Sequence, residues 1–283
     1  MTVFEEFQKT SHHFSKQRPA HESSVPILSV ENLSLKYPSG YAIENISFEV
    51  KKGERLAVVG PNGAGKSTLF KIIAGVLNQT GGDVNIYGQS PGGHICIAYV
   101  AQRNQVDWNF PVTIGDVVMM GRIGQLGLFR NPGTQDKKAV REALKVVGLE
   151  NLADRQINQL SGGQQQRMFI ARSLAQEAEL MLMDEPTSGL DAASQEEIFI
   201  ILDRLREQGV TVLLALHDLK IAARRFDRVM LLNKRLLALG FPDEVLIPDN
   251  LVAAYSGHLH LVETEDGLLA VGDSCCDDEI PRL

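Results

Sequence analysis

Gly60-Pro61-Asn62-Gly63-Ala64-Gly65-Lys66-Ser67-Thr68 fits the pattern G-x-x-x-x-G-K-[ST], a loop whose backbone N–H groups wrap around phosphates. An apolar run, 55–59, precedes it and reads as a buried strand; residues 69–74 read as a helix. Strand, loop and helix in that order put phosphates on the unpaired N–H groups and positive dipole end of the helix. In that setting Lys66 reaches the β- and γ-phosphates, and the Ser67 hydroxyl ligates Mg²⁺. Farther along, the apolar run 180–183 ends in Asp184-Glu185. A carboxylate ending a parallel strand beside a phosphate loop suits Mg²⁺, so Asp184 is the candidate metal residue. Alternation along the strand turns Glu185 the other way, free to act as general base on an attacking water. Leu160-Ser161-Gly162-Gly163-Gln164 offers a second anion nest at a helix start, or simply an N-cap with flexible glycines. One nucleotide needs one cradle, so a functional second nest closes over a nucleotide held by another copy of the chain.

These groups need a scaffold, and the hydrophobic pattern supplies one. Short strands at 27–30, 33–37 and 43–50 suggest a mostly antiparallel start, followed by strands at 55–59, 95–100, 180–183, 210–216 and 229–232. Helical patterns alternate with the later strands, which implies a parallel sheet covered on both faces. Residues 113–178 read as successive helices near 114–120, 135–147 and 163–175, an insert joined to the core by loops. The expected fold is α/β, of the P-loop NTPase type. Residues 1–26 read as a flexible extension, and 246–283 as a less patterned C-terminal one with a helical turn at 242–246 and a strand near 259–263.

Bulk properties narrow the classes. With 283 residues the chain can bury one large α/β core, and its 44% hydrophobic and 22% charged content is ordinary. A net charge of −7 argues against nucleic acid as a partner. No apolar run approaches the ~18 residues of a membrane span, so any pore belongs to another chain. The N-terminal stretch has no apolar core of a secretory signal, and Cys96, Cys275 and Cys276 make no disulfide framework, as expected in a reducing cytoplasm. His258, His260, Cys275 and Cys276 invite a metal site, but their spacing is not that of a zinc ligand set.

Taken together, residues 27–245 resemble the ATP-binding cassette (ABC) transporter ATPases. GPNGAGKST resembles their Walker A motif, LMLMDE their Walker B motif, and LSGGQ followed by Gln165-Gln166-Arg167 their signature. The resemblance implies that ATP is bound with Mg²⁺ at residues 60–68 and completed by Ser161, Gly162, Gly163 and Gln164 of a facing subunit. Gln102 matches the glutamine that senses Mg²⁺ and the attacking water, in the loop leading to a helical subdomain at about 103–178. Asp191, in Ser188-Gly189-Leu190-Asp191, matches the loop that crosses the dimer interface. His217 matches the histidine that contacts the γ-phosphate, although a strand ending in His217 also fits a satisfied core histidine. Tyr37 matches the aromatic that stacks on adenine, with Tyr41 as the alternative; either also fits plain sheet packing. The implied catalytic set is Glu185, His217, Gln102 and Lys66.

The segment Val106-Asp107-Trp108-Asn109-Phe110-Pro111-Val112-Thr113 resembles the manganese/zinc/iron uptake subfamily. Trp108 and Phe110 either line a groove for a permease helix or pack the insert onto the core. The resemblance implies an ATPase on the cytoplasmic face of the plasma membrane, as a homodimer or paired with a sister ATPase. Its partners are a polytopic permease and, indirectly, a periplasmic or surface metal-binding protein, with manganese the first cargo and zinc or iron next. Other classes are a soluble ABC ATPase of translation or DNA maintenance, and an exporter. A single GKST, a single LSGGQ and the absence of a coiled-coil interruption weigh against the soluble classes; the uptake-like insert weighs against export.

Overall fold

The computed structural model describes residues 25–91, 96–102, 106–126, 131–255, 259–264 and 267–272. Strand β3 (Arg55–Val59) lies at the centre of a six-stranded sheet in the order β5-β6-β7-β3-β8-β9. The other strands of this sheet are β5 (Ile97–Val100), β6 (Leu180–Asp184), β7 (Thr211–Leu216), β8 (Arg228–Asn233) and β9 (Arg235–Gly240). All pairings are parallel except β8 with β9. Every residue of β3, β6 and β7 is buried. That is why these strands read as unbroken apolar runs rather than alternating ones.

Alternation instead divides the core. Ala57, Val59, Met181, Met183, Val212 and Leu214 face one apolar cluster, and Leu56, Val58, Leu180, Leu182 and Leu213 face the other. Helix α1 (Lys66–Ile73) and a three-stranded antiparallel sheet cover the second face. That sheet is ordered β2-β1-β4, from β1 (Leu28–Tyr37), β2 (Gly40–Val50) and β4 (Gly81–Ile86). The sequence reads β1 as two strands, but it is one. Its buried residues switch phase from Leu28 and Val30 to Leu33 and Leu35 across an irregularity at Asn32, whose φ is +50°. One extra residue flips the side-chain alternation, and Asn tolerates the left-handed backbone this needs.

The first face carries the helical insert: α2 (Ile114–Met120), α3 (Ile123–Leu126), α4 (Thr134–Val146) and α5 (Gly162–Ala175). Both α2 and α4 pack on α5. The buried Arg122, between α2 and α3, fastens the three together. Its guanidinium donates to Asp136 on α4 (3.1 Å), to the Ala175 carbonyl ending α5 (2.8 Å) and to Glu177 (3.0 Å). Helices α6 (Ala192–Glu207) and α7 (Leu219–Arg225) complete this layer.

Past β9 the chain forms α8 (Pro242–Val245), α9 (Pro248–Tyr255) and a hairpin of β10 (Leu259–Thr264) with β11 (Gly267–Gly272). The Asn233 amide donates to the Ala254 carbonyl at 2.7 Å and seats α9 against the sheet. Residues 1–24, His258, Cys275 and Cys276, and the side chain of His260, lie outside the described residues.

Candidate functional site

The site grows from the C-terminal ends of β3, β6 and β7, three adjacent strands of the parallel sheet. From β3 the chain passes through residues 60–65 into α1, whose N-cap is Gly65. Gly65 has φ +96°, and a Cβ there would sit 2.5 Å from Ile43 Cγ2 and 2.7 Å from the Ala42 carbonyl oxygen. Both the backbone angle and the packing against β2 exclude a side chain. Lys66 follows as the first residue of α1 and folds back over its own loop. Its Nζ donates to the carbonyls of Gly60 (2.7 Å) and Pro61 (3.2 Å). Burial holds the Lys66 pKa below its ordinary value, against the opposing charges of Glu185 and Asp184.

Asp184 ends β6 and is only 1% exposed. Desolvation raises its pKa, while a hydrogen bond from the Ser67 hydroxyl favours the anion and the charge of Glu185 disfavours it. Tyr99 on β5 donates its hydroxyl to Asp184 Oδ2 at 3.3 Å. Among the described residues Oδ1 has no hydrogen-bond partner although it is buried. An orphaned carboxylate oxygen beside a Ser67 hydroxyl, under a phosphate loop, is a donor set that fits a hard cation such as Mg²⁺.

Glu185 diverges from Asp184 for a reason the sequence reading missed. β6 has already ended, and Glu185 takes a left-handed backbone with φ +49° instead of continuing the strand alternation. Its two oxygens have different partners. The His217 Nε2 donates to Oε1 at 2.5 Å, and the Gln102 amide donates to Oε2 at 3.1 Å. The His217 hydrogen bond is the main cause of a lowered Glu185 pKa, opposed by partial burial and helped by the charges of His217 and Lys66. Adjacent carboxylates are therefore pushed in opposite directions, Asp184 up and Glu185 down. His217 follows the end of β7 and its side chain is 45% exposed, so it is not a core histidine. The neighbouring Asp218 is structural: it caps α7, accepting from the N–H groups of Lys220 (2.8 Å) and Ile221 (3.1 Å).

Lys66, Ser67, Asp184, Glu185, Gln102 and His217 thus come together from four parts of the chain. The Ser161–Gln164 group makes its hydrogen bonds within its own helix cap. Ser161 accepts from the Gln164 N–H (3.3 Å) and Gln164 Oε1 accepts from the Ser161 N–H (3.0 Å), a closed capping box at the start of α5. Asp191 likewise caps α6, accepting from the Ser194 N–H (2.8 Å) and hydroxyl (2.9 Å). Gly163 joins these two caps, since a Cβ on it would lie 2.7 Å from Ser194 Oγ. Gly162, Gln102, Trp108, Gln166, Glu185 and Ser188 line one open cleft of about 360 Å³ between insert and core.

Tyr37 and Tyr41 flank the β1–β2 hairpin and are 46% and 38% exposed. One face of the Tyr41 ring is covered by Lys36, whose Nζ lies 5.0 Å from its centroid. Trp108 packs edge-on against Phe169 of α5, with ring centroids 5.8 Å apart, whereas Phe110 is 57% exposed. Trp108 thus packs on a helix of the insert while lining the open cleft, and Phe110 is left on the surface. Among the described residues no group of three or more His, Cys, Asp or Glu side chains is placed to hold a metal ion. The contact sequence reasoning missed is Tyr99 on Asp184; its only signal was an aromatic hydroxyl on the strand that runs into Gln102.

A family model described as ABC transporter matches residues 43–188. The manganese transport system ATP-binding protein MntB of Halalkalibacterium halodurans is 45% identical over 248 residues, 87% of this chain and 98% of its own. The zinc transport system ATP-binding protein TroB of Treponema pallidum is 43% identical, over 82% of this chain and 88% of its own. Among solved structures, an inward-facing conformation of a putative metal-chelate type ABC transporter superposes with a TM-score of 0.76 at 30% identity, covering 88% of this chain and 99% of that one. A phosphate loop, a split carboxylate pair and a helical insert carrying LSGGQ, in a chain this similar over nearly its whole length, leave one assignment: the chain belongs to the ABC transporter family, as an ATP-binding subunit.

Proposed function

We propose that this chain hydrolyses ATP to drive uptake of a divalent metal by an ABC importer, with manganese the first candidate cargo and zinc or iron next. The observation that carries the hydrolytic role is Glu185, held as a carboxylate between Gln102 and His217 at the mouth of the phosphate loop. The triphosphate lies on the N–H groups of Gly60, Asn62, Gly63, Ala64, Gly65 and Thr68, with Pro61, which has no N–H to donate, shaping the loop, and Lys66 exchanges its loop carbonyls for β- and γ-phosphate oxygens. Glu185 takes a proton from the attacking water, Gln102 orients that water, and His217 donates to the γ-phosphate. Ser67 and Asp184, with Gln102 nearby, would hold Mg²⁺, which would supply charge neutralisation at the phosphates. Tyr37 stacks on the adenine.

Ser161, Gly162, Gly163 and Gln164 of a second copy, or of a sister ATPase, complete the nucleotide site, with Asp191 at the interface between them. Residues 27–245 form the cassette, flanked by extensions at 1–26 and 246–283. Within it the helical lobe at about 103–178 meets a polytopic permease on the cytoplasmic face of the plasma membrane. No described helix is long and apolar enough to cross a membrane. A periplasmic or surface metal-binding protein delivers the ion to the permease. The similarity to MntB supports manganese over zinc.

Metal uptake in a strain lacking this chain tests the proposal. Expression of the parent chain restores accumulation of manganese, zinc or iron, and Glu185→Gln, which still binds ATP, does not. Unchanged uptake of all three metals in the deletion strain overturns the cargo, and normal ATP turnover by Glu185→Gln overturns the general base.

A further inference from the structure

The Tyr99 hydroxyl is spent on the one carboxylate oxygen that Asp184 does not leave bare. Oδ2 accepts from Tyr99, and the buried Oδ1 accepts from nothing among the described residues. A hydrogen bond to one oxygen of a carboxylate fixes the rotation of the group and hence where the other points. The Ser67 hydroxyl favours the anion of the same side chain. We propose that Tyr99 is a positioning residue for the nucleotide's divalent cation, holding Asp184 with Oδ1 presented to the ion or to its water. The proposal rests on the assignment of Asp184 to that cation.

The same residue is tied to the helical lobe through its backbone. The Tyr99 carbonyl accepts from the Arg172 guanidinium at 3.2 Å, and Arg172 stands on α5, the helix that begins at Gly162. Arg172 also lies over the Phe169 ring at 5.5 Å, and Phe169 is the ring on which Trp108 rests. The lobe therefore grips β5 at Tyr99, which lies opposite Leu182, two residues before the cation carboxylate. A shift of α5 relative to the sheet moves the Tyr99 hydroxyl, and the 3.3 Å separation leaves room for it to shorten.

Tyr99→Phe removes the hydroxyl and keeps the ring. The assay uses the full chain in a Glu185→Gln background, with Mn²⁺ as the paramagnetic stand-in for Mg²⁺. Free and bound Mn²⁺ are measured by electron paramagnetic resonance at saturating ATP, and ATP affinity is measured separately in excess chelator. Loss of one hydrogen bond behind a metal ligand weakens Mn²⁺ by about tenfold while chelator-phase ATP affinity stays the same. A purely structural role for Tyr99 lowers both together, with a shifted melting transition, and overturns the proposal. So does an unchanged Mn²⁺ affinity. If the Glu185→Gln parent binds ATP but retains no Mn²⁺, the assignment of Asp184 to the cation fails before Tyr99 is reached. Tyr99→Met, which fills the same space without a donor, repeats the result expected of Tyr99→Phe if that variant folds poorly.

Discussion

Gly163 is the residue where motif and packing part company. From the sequence it reads as a flexible member of an anion nest, but the structure gives it a second reason to lack a side chain. Its absent Cβ would lie 2.7 Å from Ser194 Oγ and 2.8 Å from Ser194 Cβ, closer than real contacts allow. Gly163→Ala therefore forces α5 and α6 apart at their starts, and overpacking of this kind costs about 1–3 kcal/mol. Urea unfolding should report that loss, and the displaced Ser161 should lower ATPase activity with it. Ser194→Gly in the Gly163→Ala background removes the collision and should recover most of both; a double variant no better than the single one places the fault in the nest itself. The neighbouring site residues differ in how legible they were. Lys66, Ser67 and the Asp184-Glu185 pair stand out because their chemistry is local to a short run. The route by which Glu185 turns aside, a left-handed φ of +49°, has no signature in residue type. Tyr99 depends on β5 lying beside β6, which no local pattern states.

Helix α2 shows the same division one level up. Its existence at 114–120 is legible from apolar spacing, and its start is written in Thr113 and Asp116, which form a reciprocal capping box. Asp116 accepts from the Thr113 N–H (2.9 Å) and hydroxyl (2.7 Å), and these bonds hold its pKa below the ordinary value. A depressed folded-state pKa contributes stability above the unfolded value of about 3.9, and that contribution is lost as pH falls through the folded one. Asp116→Ala should cost about 1 kcal/mol at pH 7, as a lost cap does, and progressively less toward pH 3. Denaturant midpoints of parent and variant across that range measure it; a pH-independent difference would mean that the charge of Asp116 is irrelevant to the cap. Elements without such local grammar were missed. β9 has no fully buried residue and pairs antiparallel at the sheet edge, so neither a long apolar run nor a clean alternation marks it. Helix α9 begins at Pro248 and buries only Leu251 and Ala254, too narrow a stripe to stand out in the sequence.

At the scale of the whole molecule, the proposed function makes one chain the holder of two halves of different sites. The cluster at the ends of β3, β6 and β7 has a lysine, a serine, two carboxylates and their partners, while Ser161 and Gln164 close on each other at the start of α5. A head-to-tail pair of chains would set each phosphate loop against the other chain's α5. That arrangement has a consequence that a self-contained site lacks. In the proposed pairing, Lys66→Ala spoils the loop half and Ser161→Arg the facing half, so each variant alone forms only damaged sites. In a mixed dimer one site carries both defects and the other carries neither. Mixing the two inactive proteins should therefore restore activity, up to about one quarter of the parent's if chains pair at random and the sites act independently. ATPase measured over a range of mixing ratios should peak at equal amounts. If each phosphate loop instead used the Ser161 of its own chain, every site in the mixture would still carry one defect, and no ratio would restore turnover.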